Sequence, residues 1–220
     1  MFNVMHRTRS VLLAVGVVLL LPRVAEAGPP LLCHPFDAGS SPVLQWGRGE
    51  GWNLVDRTYD VQRLTADTLR LLSPDAPILA RMENLRRATI YASQHEKAAR
   101  DLLAGVLARV TTSSGPENRL ALFDAGYLIE AYRQASDVYR WNMLSPAEKS
   151  AWAIRHEPEG LDGYAMVKKA LEVGPNPEME FAASLMKEGP TSAEHRRRAQ
   201  AGAAPDSLLA KNLRNFTVGK

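Results

Sequence analysis

The chain has 220 residues, 45% apolar and 23% charged, with a formal net charge of +3 and one cysteine. That composition excludes wholesale disorder and any internal disulfide. The basic pI near 9.1 does not point to nucleic acid, because Arg7, Arg9 and Arg23 against Glu26 place +2 of the +3 in residues 1–27.

Met1–Ser10 carries His6, Arg7 and Arg9 and no acid. Val11–Leu21 is an apolar run, and Pro22 precedes Ala25-Glu26-Ala27. That order is a secretory signal peptide cut before Gly28. The run is shorter than the roughly 20 residues a membrane span requires, and no later segment holds a comparable one. The expected working protein is therefore residues 28–220, exported to a periplasmic or extracellular compartment and without an integral membrane segment. Cys33 follows Pro29-Pro30-Leu31-Leu32, beyond the cleavage site, and lacks the small-residue context of a lipidated cysteine.

Residues 28–53 read as an extended, loop-rich arm. Pro29, Pro30, Pro35 and Pro42 remove main-chain donors, while Gly39, Gly47, Gly49 and Gly51 favour turns. Phe36, Leu44, Trp46 and Trp52 are the side chains that can pin it to a body.

From Leu54 the apolar period becomes helical, and residues 54–216 read as one all-α domain with a 217–220 tail. Val61, Leu64, Thr68, Leu71 and Leu72 share a face. Ser73-Pro74-Asp75 predicts a break and an N-cap. Ile78, Met82, Leu85 and Thr89 form the next stripe, with Leu79 and Ile90 beside it. Ser93-Gln94-His95-Glu96 has capping-box spacing, after which Ala99, Leu102, Leu103, Val106, Leu107 and Val110 form a wide stripe. Pro116-Glu117 opens a helix whose broad apolar face implies burial between neighbours. Gly126 costs that helix about 1 kcal/mol, a cost that close approach of another helix explains. Ser145-Pro146-Ala147-Glu148 predicts a capped helix running to about His156. Leu161–Val173, a helix carrying Met179–Leu185, a capping box at Thr191–Glu194 and a helix over Pro205–Phe216 complete eight or nine helices.

The stretch Tyr164–Pro177 ends in Ala170-Leu171 and the turn Gly174-Pro175-Asn176-Pro177; it resembles the end of a tetratricopeptide repeat. Ala121-Leu122-Phe123-Asp124-Ala125-Gly126-Tyr127-Leu128 is similar to the first helix of that family, and Thr68–Ala92 has a similar proline–turn–helix shape. Pro74, Pro116, Pro146 and Pro175 stand 42, 30 and 29 residues apart, where the family keeps about 34, and the full Trp-x-x-Leu-Gly signature is absent. The resemblance implies an irregular stack of antiparallel helical hairpins, a tetratricopeptide-like α-solenoid, over about residues 56–190. A globular helical bundle is the alternative. The resemblance carries over no functional residue.

Chemistry is thinly marked. Cys33, His34 and Asp37 are metal-ligand types within five residues, and an adjacent imidazole can lower a thiol pKa. They are the candidate metal or small-molecule site, against the simpler reading of a packed cysteine in a proline-fixed arm. His95-Glu96 lacks the second histidine of a zinc-protease helix, since Ala99 stands there; Glu96 is expected to cap. His156 and His195 lie beside turns and are expected in solvent, as are Glu157, Glu159 and Arg196-Arg197-Arg198. Gly47–Gly51 lacks the ending of a phosphate-binding loop. Trp46 and Trp52 are expected as anchors, with a flat-ligand sandwich as the alternative. Asn215-Phe216-Thr217 is a glycosylation sequon.

No cofactor and no catalytic set is expected. The leading expectation is an exported, non-catalytic helical scaffold holding a protein or peptide partner. The alternatives are a metal or small-molecule site at Cys33, His34 and Asp37, or a helical enzyme whose residues come from separate helices. Convergent Glu, His or Tyr side chains at a cleft are the mark of the last.

Overall fold

The computed structural model describes residues 29–49 and 51–216. The expected leader Met1–Ala27, Gly28, the 217–220 tail and Thr217 of the sequon lie outside the described residues. A short 3-10 turn, Val61–Arg63, leads into α1 (Leu64–Leu71), α2 (Ile78–Ala92), α3 (Glu96–Thr112), α4 (Gly115–Arg140) and α5 (Pro146–Ala151). Then follow α6 (Gly163–Glu172), α7 (Pro177–Ser184), α8 (Gly189–Gly202) and α9 (Leu208–Asn215). The described residues hold no strand, so the fold is all-α.

α2 is the centre. All of its residues except Arg87 are buried, and it meets α1, α3, α4 and α7. Its sequence shows only an apolar stripe, yet burial on all sides also takes Arg81, Glu83, Asn84 and Arg86 out of water. Each must find partners inside. Arg81 donates to Asp124 of α4 at 2.6 Å and to the Ala76 carbonyl at 3.0 Å, and it also holds the Ser73 carbonyl. One guanidinium thus ties the α1–α2 turn and α4 to the central helix.

Neighbouring helices pair antiparallel. Asn118 of α4 donates to the Val110 carbonyl near the α3–α4 turn, while Tyr132 donates to Ala99 at the far end. α4 then lies along α6: Arg119 donates to the Ala170 carbonyl at 2.9 Å, and Glu130 accepts the Tyr164 amide at 3.1 Å. Between these ties Gly126 faces Gly163. A Cβ on Gly126 overlaps the Gly163 carbonyl oxygen and stands 2.8 Å from Val167 Cγ2, so close helix approach is why glycine sits there. α7 and α8 form a third pair, tied by the Ser192 hydroxyl to the Ser184 carbonyl. α7 also touches α2 and α9. Such contacts exceed the nearest-neighbour packing of a simple stack, and the arrangement is bundle-like.

The helix ends follow side-chain commitments. Ser145 and Glu148 form the expected capping box, the Ser145 amide donating to Glu148 at 2.8 Å. α5 stops at Ala151 rather than near His156, because Trp152 turns into the core and donates to the Ala135 carbonyl at 3.1 Å. Ser93 does not cap α3. Its hydroxyl is spent on the Thr89 carbonyl, and Glu96 pairs with Arg100 instead. The box expected at Thr191–Glu194 does not form: α8 begins earlier, at Gly189, and Glu194 pairs with Arg197 and Arg198. The break at Ser73–Asp75 is real, but α2 starts only at Ile78 after Pro77.

Two outcomes follow from this packing. Gly126→Ala is expected to destabilise the protein by roughly 1–3 kcal/mol in urea unfolding, because overpacking against a carbonyl outweighs the regained helix propensity. The second concerns Asp124, where burial pushes the carboxyl up from 3.8 to about 6, with Arg81 and Arg109 only partly offsetting it. A carboxyl whose pKa is raised by folding holds its proton more tightly when folded, so its contribution to stability falls as pH rises from about 4 to about 6. Asp124→Asn removes that slope. Denaturant titrations across the window are expected to show the stability difference, wild type minus variant, shrinking as pH rises.

Candidate functional site

The arm bonds to its own main chain only at a few turns, such as the Leu32 and Cys33 amides to the Pro29 carbonyl, so most of its main chain needs partners elsewhere. Side chains of the helical body supply them. Glu83 accepts the Phe36 amide at 3.0 Å, and Asn84 accepts the Leu44 amide at 2.8 Å while donating to the Pro42 carbonyl. Arg86 donates to the carbonyls of Leu32 and Trp52 at 3.1 and 2.9 Å, and Arg87 to that of Leu44. Tyr91 donates to the Gln45 carbonyl at 2.9 Å and accepts the Asp56 amide at 3.0 Å. The residues at 84, 87 and 91 recur at i, i+3 and i+7, one face of α2.

Two further helices extend this hold. Gln134 of α4 accepts the Leu31 amide at 2.8 Å, its own amide donating to the Leu185 carbonyl. Asn212 of α9 brackets Asp37, accepting its amide at 2.9 Å and donating to its carbonyl at 3.0 Å. Most of these bonds read main chain, not side chain. Between them Phe36 and Leu44 enter the core, as expected for pinning residues, and so do Leu31 and Leu32. Trp46 is half-buried on Tyr91 with Arg86 and Arg87 over its ring, and Trp52 meets Trp152 edge-on. The two tryptophans act separately and form no sandwich.

The electrostatic centre of the groove is Glu83, 1% exposed. Arg86 grips it with two bonds, at 2.8 and 2.9 Å, and Arg87 adds a third at 2.6 Å. Burial pushes this carboxyl up, but the arginines and the Phe36 amide outweigh it and leave it below the ordinary 4.5. A depressed carboxyl contributes stability above its unfolded range and loses it as pH falls through its folded pKa.

The sequence-predicted ligands sit on the same arm but apart. Cys33 is half-buried, and burial pushes its thiol up to about 12, with Arg86 lowering it only in part. That is the opposite of an activated thiol. His34 packs edge-on to Phe216, and burial followed by the Arg86 charge lowers its pKa. Asp37 is spent on the Gly39 amide. Among the described residues no group of three or more His, Cys, Asp or Glu converges to hold a metal ion. Glu157 lies in solvent, paired with Arg140 at 3.2 Å. His195 departs from expectation: it is buried between Tyr164 and Glu180.

Clefts open at both ends of the arm. One of about 490 Å³ lies beside Pro29 and Pro30, with Trp141, Arg133, Asp137 and Lys187 in its walls. One of about 430 Å³ lies beneath Asn53–Val55, with Gln94, Glu148 and Trp152. Trp141 is 62% exposed, unusual for so large an apolar ring. No helix among the described residues is long and apolar enough to cross a membrane. Comparison with protein-family models, with curated proteins and with solved structures returned no match.

Glu83→Gln is expected to loosen the arm before the body. One bond to Arg86 weakens and a buried guanidinium is left without its counter-charge, a loss on the order of 3–5 kcal/mol. Hydrogen exchange is expected to quicken first at the Phe36 amide and then along residues 31–44, ahead of α4. Uniform quickening across α2 and α4 overturns this.

Proposed function

We propose that the protein is an exported helical scaffold that binds an extended segment of a protein partner. The observation that carries this reading is the groove. Its helices already hold one extended polypeptide, the chain's own arm, mainly through bonds to main-chain amides and carbonyls. Main-chain bonds give affinity with little dependence on sequence, and pockets beside them give selectivity. The leader Met1–Ala27 supports export, with cleavage before Gly28. Antiparallel pairing of α3 with α4 and of α7 with α8 supports a hairpin-built, tetratricopeptide-like framework.

The open part of the surface is the cleft where the arm begins. There Trp141 offers an exposed aromatic face, Arg133 and Lys187 supply donors, and Asp137 and Glu188 supply acceptors. An exposed tryptophan beside mixed polar groups is the composition of an interface anchor. A peptide seated here continues the line of the arm.

Panning a random peptide library against the purified protein tests the proposal. Selected peptides are expected to lose about thirtyfold in affinity on Trp141→Ala, the weight of an interface hot spot. They are expected to keep it on Lys211→Ala, which lies on α9 away from the cleft. Thermal stability is expected to stay unchanged in Trp141→Ala, since the ring is exposed. Peptides indifferent to Trp141 and Arg133 overturn the assignment. Export is tested by N-terminal sequencing of the secreted form, with Gly28 as the expected first residue.

A further inference from the structure

A carboxylate, an imidazole and a phenol converge where α6, α7 and α8 meet. Glu180 accepts from His195 Nδ1, and Tyr164 Oη lies 2.8 Å from His195 Nε2. An ionised carboxylate only accepts, so Nδ1 carries the ring proton and Nε2 is left to take the phenol proton. Glu180 and His195 are buried, and Tyr164 is half-exposed. A buried acid orienting a base, with the base on an accessible hydroxyl, is the geometry of an activated nucleophile. The cluster takes no part in holding the arm.

The surroundings add charge. Lys187 Nζ stands 4.6 Å from the centre of the Tyr164 ring, and Arg198 lies 3.6 Å from Glu180. Glu130 accepts the Tyr164 amide from α4, and Asp162 caps the first turn of α6. Lys187, Glu130 and Asp162 also line a cleft of about 250 Å³.

We propose that Tyr164 is the nucleophile of a phosphoryl-transfer site, with His195 as its base and Glu180 as the residue that positions the imidazole. Lys187, over the ring, favours an anionic tetrahedral electrophile over a neutral acyl group, while Arg198 is already held by Glu194 at 2.9 Å and by Glu180. In the step, the bond from Tyr164 Oη to phosphorus forms as the bond from phosphorus to the leaving oxygen breaks. The phenol proton passes to His195 Nε2 and from the imidazolium to the leaving oxygen. Burial, then the Glu180 charge, hold the phenol above its ordinary range, with Arg198 opposing. Tyr164 therefore relies on its base rather than ionising unaided.

The probe is an aryl phosphorofluoridate monoanion, which loses fluoride when tyrosine attacks, read by mass spectrometry of the purified protein. Tyr139 is the internal control: Lys149 and Arg155 lie over its ring at 4.8 and 5.6 Å, but no imidazole is bonded to its hydroxyl. Tyr164 is expected to label far faster than Tyr139, a comparison that needs no variant. His195→Gln is expected to slow Tyr164 by about a hundredfold, the weight of a positioned base. Glu180→Gln is expected to slow Tyr164 labelling because the imidazole loses its orienting acceptor, and Glu180→Asp to restore part of the rate. Lys187→Met is expected to slow the anionic probe and leave a neutral arylsulfonyl fluoride unaffected. Equal labelling of Tyr164 and Tyr139, or a Tyr164 rate unchanged in His195→Gln, overturns the proposal.

Discussion

A glutamate with 1% exposure in the middle of a helical body sets the terms for everything around it. An isolated carboxylate there is prohibitively costly, so Glu83 needs positive charge and donors on every lone pair. Arg86 and Arg87 supply the charge from the next turn of α2. Those guanidiniums then have donors to spare, and the nearest acceptors are the carbonyls of the arm. The same carboxylate takes the Phe36 amide. The arm is thus held by the satisfaction of a buried ion cluster, and its leucines and Phe36 fill the space that remains. Remove the arm and Glu83, Asn84 and Arg86 all lose partners and must take water instead.

α4 distributes the consequences. Along one helix, Asp124 anchors Arg81, Gly126 admits α6, Glu130 accepts the Tyr164 amide and Gln134 accepts the Leu31 amide. The Gly126–Gly163 approach lets α6 lie flush, which sets Tyr164 one residue into that helix and within reach of His195. A larger residue at 126 would therefore disturb the phenol–imidazole pair as well as the packing. The arm and the Glu180–His195–Tyr164 cluster are separate sites carried on one strut.

Much of this was legible in the residues, and the rest failed for identifiable reasons. Helical periodicity revealed the helices and the loop-rich arm, and Gly126 announced a close approach. Ser145 with Glu148 formed a box because nothing else competes for that hydroxyl; Ser93 did not, because the Thr89 carbonyl took its hydroxyl, and Thr191 falls inside a helix that already began at Gly189. α2 was misleading in the opposite sense. Arg81, Glu83, Asn84 and Arg86 look like a solvated face, and only the neighbours on that side show them to be interior. The one signal in the sequence was an arm rich in proline, with main-chain groups needing partners and no strand to provide them. His195 followed the same pattern. A histidine among three arginines reads as surface, whereas its partners Tyr164 and Glu180 come from 31 and 15 residues away.

Trp141 shows how the fold leaves a ring exposed on purpose of geometry rather than by neglect. It closes α4, its amide bonded to the Asp137 carbonyl at 2.8 Å, and Asn142 follows in the left-handed region at φ 54°. That conformation, which asparagine tolerates better than most residues, turns the chain away from the helix axis toward Ser145. Leu144 and Trp152 beyond it are buried, while the Trp141 ring stays 62% exposed. A large aromatic ring already exposed before binding gives a partner apolar area to cover. The arm, by contrast, is preorganised by its ion cluster and by Gln134 on the Leu31 amide, so the Pro29 wall of the cleft is set before anything enters it and costs a partner little ordering entropy.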